Sequence, residues 1–264
     1  MSEALIEAFD LRFSHEHGTE VLRGTSVRVN PGQILVVLGA NGCGKSTLLK
    51  VLAGSWRARS GTLKVAGRTM DHSRRDRDRV RRIVQLVLQE PDDQLFSTSV
   101  RADVSFGPMN QDLPPARVRE LVDAAMRATG VFDLADRVPH QLSYGQRKRV
   151  VLAGALAMSP AALLLDEPTA GLDPAGSQAL MGVLQRLRGE GRAIVMATHD
   201  VDLAYSVADR IAVMDAGVLS IGAPEVIMAD RRLLDSASLS VPWALAVSEV
   251  VGRPVRTIED LFGG

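Results

Sequence analysis

Short, almost wholly apolar runs alternate along this chain with longer stretches of helical spacing. Leu5-Ile6-Glu7-Ala8-Phe9 and the stretch from Val21 to Val29 predict strands joined by the polar turn Ser14-His15-Glu16-His17-Gly18, an antiparallel hairpin. Pro31-Gly32 punctuates the chain before the apolar run Ile34–Leu38. Gly61–Val65 and Ile83–Leu88 predict further strands, whereas Ala116–Thr129 and Gly145–Met158 have the spacing of helices. Strand signals return at Ala162–Leu165 and Ala193–Ala197, followed by a pair at Ile211–Met214 and Gly217–Ser220. Continuous apolar strands suit a parallel sheet buried on both faces, so the pattern predicts a parallel core interrupted by a helical insertion. Beyond Gly222, helix-prone segments at Glu225–Asp230 and Trp243–Val251, with Pro242 and Pro254 as breakers, predict a helical tail.

Between the Ile34–Leu38 run and the helix-forming stretch Leu48–Leu52 lies Gly39-Ala40-Asn41-Gly42-Cys43-Gly44-Lys45-Ser46-Thr47, a complete G-x-x-x-x-G-K-[ST] phosphate loop. The glycines let successive backbone N–H groups turn inward on an anion, and the helix opening at Lys45 adds its positive dipole end. Lys45 can reach β- and γ-phosphate oxygens, and Ser46 is placed to put its hydroxyl on Mg²⁺. A nucleoside triphosphate is the expected ligand.

Composition narrows the partners. The 264 residues carry 31 Lys+Arg against 31 Asp+Glu, so net charge gives no basis for a nucleic-acid partner. No apolar run approaches the ~18 residues of a membrane span, and the acidic start Met1-Ser2-Glu3 lacks a basic signal-peptide head, so a soluble, cytoplasmic chain is expected. Cys43 is the sole cysteine, which excludes a disulfide framework or thiolate metal cluster within the chain.

Three strand ends supply the remaining chemistry. Leu163-Leu164-Leu165-Asp166-Glu167-Pro168 is a buried strand ending in two carboxylates, with Asp166 on the magnesium side and Glu167 placed to accept a proton from an attacking water. Ala193–Thr198 delivers His199, and Ile83–Leu88 delivers Gln89, whose neutral amide suits Mg²⁺ or water. The bland readings are a strand-terminating turn, a hydrogen-bonded structural histidine and a loop hydrogen bond.

In this order the motifs resemble the nucleotide-binding subunits of ATP-binding-cassette transporters. After the phosphate loop come Gln89, then Leu142-Ser143-Tyr144-Gly145-Gln146, similar to the signature Leu-Ser-Gly-Gly-Gln, then Asp166-Glu167, Ala170-Gly171-Leu172-Asp173 and His199. The resemblance implies an α/β fold: a P-loop, RecA-like core with an N-terminal antiparallel β subdomain, an inserted helical subdomain and a C-terminal helical tail. It divides the chain into residues 1–88 (core with phosphate loop), 89–159 (Gln89 loop and helical signature subdomain), 160–221 (remainder of the core) and 222–264 (accessory or dimerisation segment). It further implies ATP and Mg²⁺ as cofactors, and a head-to-tail homodimer in which Ser143, Gly145, Gln146 and Asp173 serve the ATP held by the partner protomer. Tyr144 departs from the usual glycine. Phe13 matches the aromatic that stacks on adenine, with a hairpin core residue as the alternative.

Gln89-Glu90-Pro91-Asp92-Asp93-Gln94-Leu95-Phe96 is more specific, and resembles energy-coupling-factor importer ATPases, particularly those of cobalt and nickel systems. That resemblance implies a peripheral subunit on the cytoplasmic face of the cell membrane, powering transition-metal uptake with a transmembrane scaffold and a substrate-capture membrane subunit. Cobalt is the first expectation and nickel the next. Asp92 and Asp93 are suitable acceptors for scaffold arginines; the alternative is a solvated acidic turn. Two other functions stay open: an ATPase serving another solute, and a non-transport cassette protein acting on nucleic acid, which neutral charge disfavours. His15-Glu16-His17 reads as a solvated turn rather than a metal site, and the run Arg74–Arg82 as a solvated face rather than a lipid contact, its aspartates diluting the field.

Overall fold

The computed structural model describes residues 3–16 and 18–262, so His17 of the first hairpin turn lies outside the described residues. The strands are β1 (Ile6–Ser14), β2 (Glu20–Val29), β3 (Ile34–Leu38), β4 (Ser60–Val65), β5 (Arg68–Thr69), β6 (Val84–Val87), β7 (Ala162–Asp166), β8 (Ala193–Thr198), β9 (Arg210–Asp215) and β10 (Val218–Gly222). The helices are α1 (Lys45–Leu52), α2 (Arg74–Ile83), α3 (Val100–Met109), α4 (Pro115–Ala128), α5 (Tyr144–Ala157), α6 (Pro174–Gly189), α7 (Val201–Val207), α8 (Pro224–Ala229), α9 (Arg231–Ser236), α10 (Trp243–Val251) and α11 (Glu259–Phe262). The α/β class, the antiparallel N-terminal sheet, the inserted helices and the helical tail are all present.

Two sheets carry the molecule. The first is antiparallel, in the order β2-β1-β4-β5; the second runs β10-β9-β3-β8-β7-β6, parallel from β9 to β6 with β10 as an antiparallel edge. Because side chains alternate across a strand, each parallel strand feeds two cores. Leu35, Val37, Leu164, Val195 and Ala197 face α1 and the antiparallel sheet. Val36, Leu38, Leu163, Leu165, Ile194 and Met196 face the opposite way, into a core shared with the inserted helices and the tail. Burial on both sides explains why these strands read as uninterrupted apolar runs.

Register sets the functional edge. Leu38 pairs with Thr198, Asp166 with Ala197, and Val87 with Leu165, so β3, β6, β7 and β8 end together. The insertion between β6 and β7 is built from α3, α4 and α5, which pack on one another. Helix α3 has only Val100, Val104 and Pro108 buried, with a proline inside it, which explains why its apolar spacing is weak in sequence. The tail is docked rather than separate. Met228, Leu234, Ala244 and Val255 complete the larger core, and the Trp243 N–H donates to Asp202 at 2.9 Å.

The arginine run is helix α2, opened by Ser73, whose hydroxyl accepts from the Asp76 N–H. Most of its arginines are exposed. Asp76 is not: it is buried, accepts from Arg79 Nε at 2.7 Å and from the Asp71 N–H at 2.9 Å, while Arg79 Nη1 donates to Val65 O at 2.9 Å. This network fastens α2 to β4. The Arg79 hydrogen bond holds the Asp76 carboxyl below its ordinary range. Asp76→Ala should therefore cost about 1–3 kcal/mol in urea unfolding at neutral pH, since it removes the carboxylate partner of a half-buried guanidinium and of the Asp71 N–H. A lowered folded-state pKa contributes stability above the unfolded value and loses it as pH falls. The gap between wild type and Asp76→Ala should thus begin to close below about pH 4.

Candidate active site

The phosphate loop leaves β3 at the aligned sheet edge and enters α1 through Gly44, whose φ is +113°. A side chain there would be strained, and its Cβ would sit 2.9 Å from Val21 Cγ1. No side chain caps α1, so its first N–H groups remain available to an anion. Lys45 is buried, and its ammonium donates to Gly39 O at 2.7 Å and Ala40 O at 3.1 Å. It also lies 3.9 Å from Glu167 Oε1. The loop's own carbonyls thus hold the cation at the mouth of the phosphate seat.

A cavity of about 540 Å³ opens over this loop, lined by Asn41, Gly42, Gly44, Lys45, Ser46, Thr47, Gln89, Asp166, Glu167, Ala170, His199, Val21 and His15. Asp166 is buried, and its Oδ1 has no hydrogen-bond partner among the described residues. Burial pushes its carboxyl upward, opposed by the neighbouring Ser46 hydroxyl. An orphaned carboxylate oxygen, a hydroxyl and the Gln89 amide are the hard oxygen donors that a Mg²⁺ ion takes beside phosphates, so the site fits that ion.

Glu167 is the most constrained member. Its φ is +44°, a left-handed backbone that is uncommon outside glycine. Its Oε2 accepts from Thr198 Oγ1 at 3.1 Å, and its Oε1 lies 3.0 Å from His199 Nδ1. Thr198 also receives the Asp200 N–H at 3.1 Å. Thr198 is absent from the sequence-based site; its only signal is its place as the last residue of a strand whose neighbour ends in Asp166-Glu167. His199 is 61% exposed, open to a ligand on one side and bound to Glu167 on the other.

Phe13 is not among the residues lining the cavity; its ring stacks on Trp56 at 5.3 Å and 7°, packed against the smaller core, the arrangement of the hairpin-core alternative. His15, beyond the end of β1, lines the cavity instead, edge-on to both Phe13 and Trp56. Among the loop residues, Gly39 and Ala40 act through carbonyls to Lys45, and Cys43 packs against the smaller core, where burial pushes its thiol pKa up. Ser143, Gly145, Gln146 and Asp173 do not line the cavity. Ser143 and Gln146 form a capping box at the start of α5, and Asp173 caps α6 by accepting from the Gly176 N–H at 2.7 Å.

A separate groove of about 590 Å³ runs between α2, the segment after Gln89, α3 and α5. Arg81, Arg82, Gln85, Phe96, Phe106 and Met158 are on its walls, with Phe96 and Phe106 exposed and in edge-to-face contact at 4.8 Å. Asp92 and Asp93 sit beside this groove without lining it. Asp92 lies 3.0 Å from Arg147 Nε while its side chain stays 56% exposed; Asp93 has no ion-pair partner among the described residues. Nor does any group of three His, Cys, Asp or Glu residues among the described residues form a metal cluster.

Comparison with known proteins places this geometry in a family. Residues 22–170 match the ABC transporter family. The cobalt import ATP-binding protein CbiO of Rhodobacter capsulatus is 46% identical over 253 residues, 95% of this chain and 90% of that protein. The energy-coupling factor transporter ATP-binding protein EcfA of Methanocaldococcus jannaschii is 40% identical over 94% of this chain and 90% of its own length. The solved structure of CbiO1 from Clostridium perfringens, described as part of the ABC transporter complex CbiONQ, matches with a TM-score of 0.80 and 37% identity, covering 94% of this chain and 100% of that one. No described helix is long and apolar enough to cross a membrane. Similar to such proteins over nearly its whole length, and with the family match running from the phosphate loop through the acid pair, the chain belongs to the ABC transporter family as an ATPase of the energy-coupling-factor type.

Proposed function

We propose that this ATPase binds Mg·ATP at the aligned sheet edge and uses its hydrolysis to power uptake of a transition-metal ion, cobalt first and nickel next, through membrane partners. The observation that carries the hydrolytic reading is the convergence of Lys45, Asp166, Glu167 and His199 on one cavity. Cobalt rests on the name of one relative. The generic name of the methanococcal EcfA favours a second reading, transport of another solute.

The phosphate-loop N–H groups and Lys45 seat the β- and γ-phosphates. Ser46, Asp166 and Gln89 would hold Mg²⁺, which would neutralise phosphate charge there. Glu167 accepts a proton from water as the water oxygen bonds to the γ-phosphorus and the bond to the ADP oxygen breaks. Thr198 and His199 orient the Glu167 carboxylate through its two oxygens. His15 presents its ring to adenine, a role first expected of Phe13. Since Ser143, Gly145, Gln146 and Asp173 stand outside their own chain's cavity, a second copy would supply them in a head-to-tail homodimer. A transmembrane scaffold would enter the groove at Phe96 and Phe106, with Asp93 as the open acceptor for arginine, bringing the subunit to the cytoplasmic membrane face beside a substrate-capture subunit.

Glu167→Gln should keep Mg·ATP binding while lowering turnover about 10²–10⁴-fold, and its mass in saturating ATP should double; near-normal steady-state hydrolysis would remove Glu167 from the base role. Comparing Co²⁺ with Ni²⁺ uptake into vesicles holding the assembled transporter tests the solute. His15→Ala should weaken ATP binding several-fold, by about 0.5–1.5 kcal/mol, with little change in rate at saturation. An unchanged affinity in equilibrium titration would return His15 to the turn. Asp93→Asn combined with Phe106→Ala should reduce copurification with the scaffold by roughly ten-fold while the isolated subunit keeps its ATP affinity within about two-fold; equal recovery of both complexes would exclude the groove.

A further inference from the structure

Helix α5 presents two side chains, one turn apart, to the loops around the acid pair. Lys148 is buried, and its ammonium donates to Glu167 O at 2.9 Å, Ala170 O at 2.7 Å and Pro168 O at 3.4 Å. These carbonyls form the turn that leaves β7. A non-glycine residue persists in the left-handed conformation of Glu167 only where its surroundings over-determine it, and a cation bound to three carbonyls of the same turn is such a constraint. Burial lowers the Lys148 pKa, an effect opposed by the carboxylates of Glu90, Glu167 and Asp166.

Tyr144 stands over this clamp. Lys148 Nζ lies 5.4 Å from its ring centroid. The ring also packs against Gly171, whose φ is +73° and whose Cβ, if present, would meet Tyr144 Cε1 at 2.7 Å. Its hydroxyl makes long contacts to Gln89 O at 3.4 Å and Glu90 Oε2 at 3.5 Å. The usual glycine of the signature segment would make none of these side-chain contacts. The aromatic ring therefore joins the start of α5 to the loops carrying Gln89 and Gly171, which flank the Lys148 clamp.

We propose that Lys148 is a positioning residue for the Glu167 carboxylate, and that Tyr144 secures Lys148 by tying α5 to the Gln89 loop and Gly171. The inference rests on Glu167 acting as the base. A mutational cycle with Glu167→Gln separates it from a merely structural role, because a residue acting through Glu167 loses its effect once that carboxylate is gone.

Single-turnover hydrolysis, affinity for a non-hydrolysable ATP analogue and thermal unfolding would be measured for Lys148→Gln, Lys148→Arg and Tyr144→Leu, each in the wild-type and Glu167→Gln backgrounds. Lys148→Gln should lower the rate about ten-fold or more with affinity within about three-fold; Lys148→Arg, which keeps charge and donors, should recover part of the rate; Tyr144→Leu should lower it about three-fold; and in the Glu167→Gln background the Lys148→Gln and Tyr144→Leu losses should shrink below about two-fold. Equal fold-losses in both backgrounds, no loss, or a loss of affinity matching the loss of rate would overturn the positioning role while leaving the base assignment standing. If Glu167→Gln itself retains wild-type turnover, both fall. Should Lys148→Gln fail to fold, the half-buried Tyr144→Leu carries the same cycle, and the same outcomes support or overturn the role.

Discussion

Everything in the site depends on the in-register parallel ladder that makes β3, β6, β7 and β8 end at one level. The pairings Leu38 with Thr198 and Asp166 with Ala197 set the heights of the phosphate loop, the acid pair and His199 relative to one another. A slip of one residue would turn every apolar side chain of a strand to the wrong core, so burial on both faces enforces the register. Catalytic alignment is thereby a by-product of core packing. Leu35 and Val37 serve one core, and Val36 and Leu38 the other. The first residue beyond that doubly buried strand begins the loop that meets phosphate.

On this edge the polar groups are restrained by the backbone as much as by each other. Lys45 rests on the carbonyls of Gly39 and Ala40, and Glu167 is held at its main chain by Lys148 and at its carboxylate by Thr198 and His199. Such preorganisation holds a buried cation and a buried acid in place through intrachain contacts, and it limits the reorganisation needed when charge develops on a phosphoryl group. Asp166 differs in having a buried oxygen without a hydrogen-bond partner among the described residues.

The helical insertion leaves the nucleotide edge intact while adding two surfaces of different character. The start of α5 is capped by Ser143 and Gln146 and lies outside its own cavity. The groove between α2, α3 and α5 exposes a pair of phenylalanines beside arginines. The first surface is partly tied to its own chain through Tyr144, which packs on Gly171 and reaches Gln89 O, whereas the second is an open groove. Through Tyr144 and Arg147, α5 touches the segment after Gln89, so the two surfaces share a helix with the loops of the hydrolytic site.

Periodicity and local motif chemistry made the strands, the phosphate loop, the acid pair and the family legible in sequence, because each is encoded within a few neighbouring residues. The apolar runs of β3, β7 and β8 are buried on both faces, and the glycine pattern before Lys45 has one local purpose. Contacts between residues distant along the chain were not legible. Phe13 carries the expected aromatic, yet its partner is Trp56, and the ring that reaches the cavity belongs to His15. The neighbour that folding gives Asp92, Arg147 at 3.0 Å, is 55 residues away in sequence. Thr198 and Lys148 carry no motif, since their roles arise only where β8 and α5 pack beside Glu167. Secondary structure and ligand chemistry follow from local spacing, whereas the pairing of side chains follows from which surfaces meet when two cores close on the same strands.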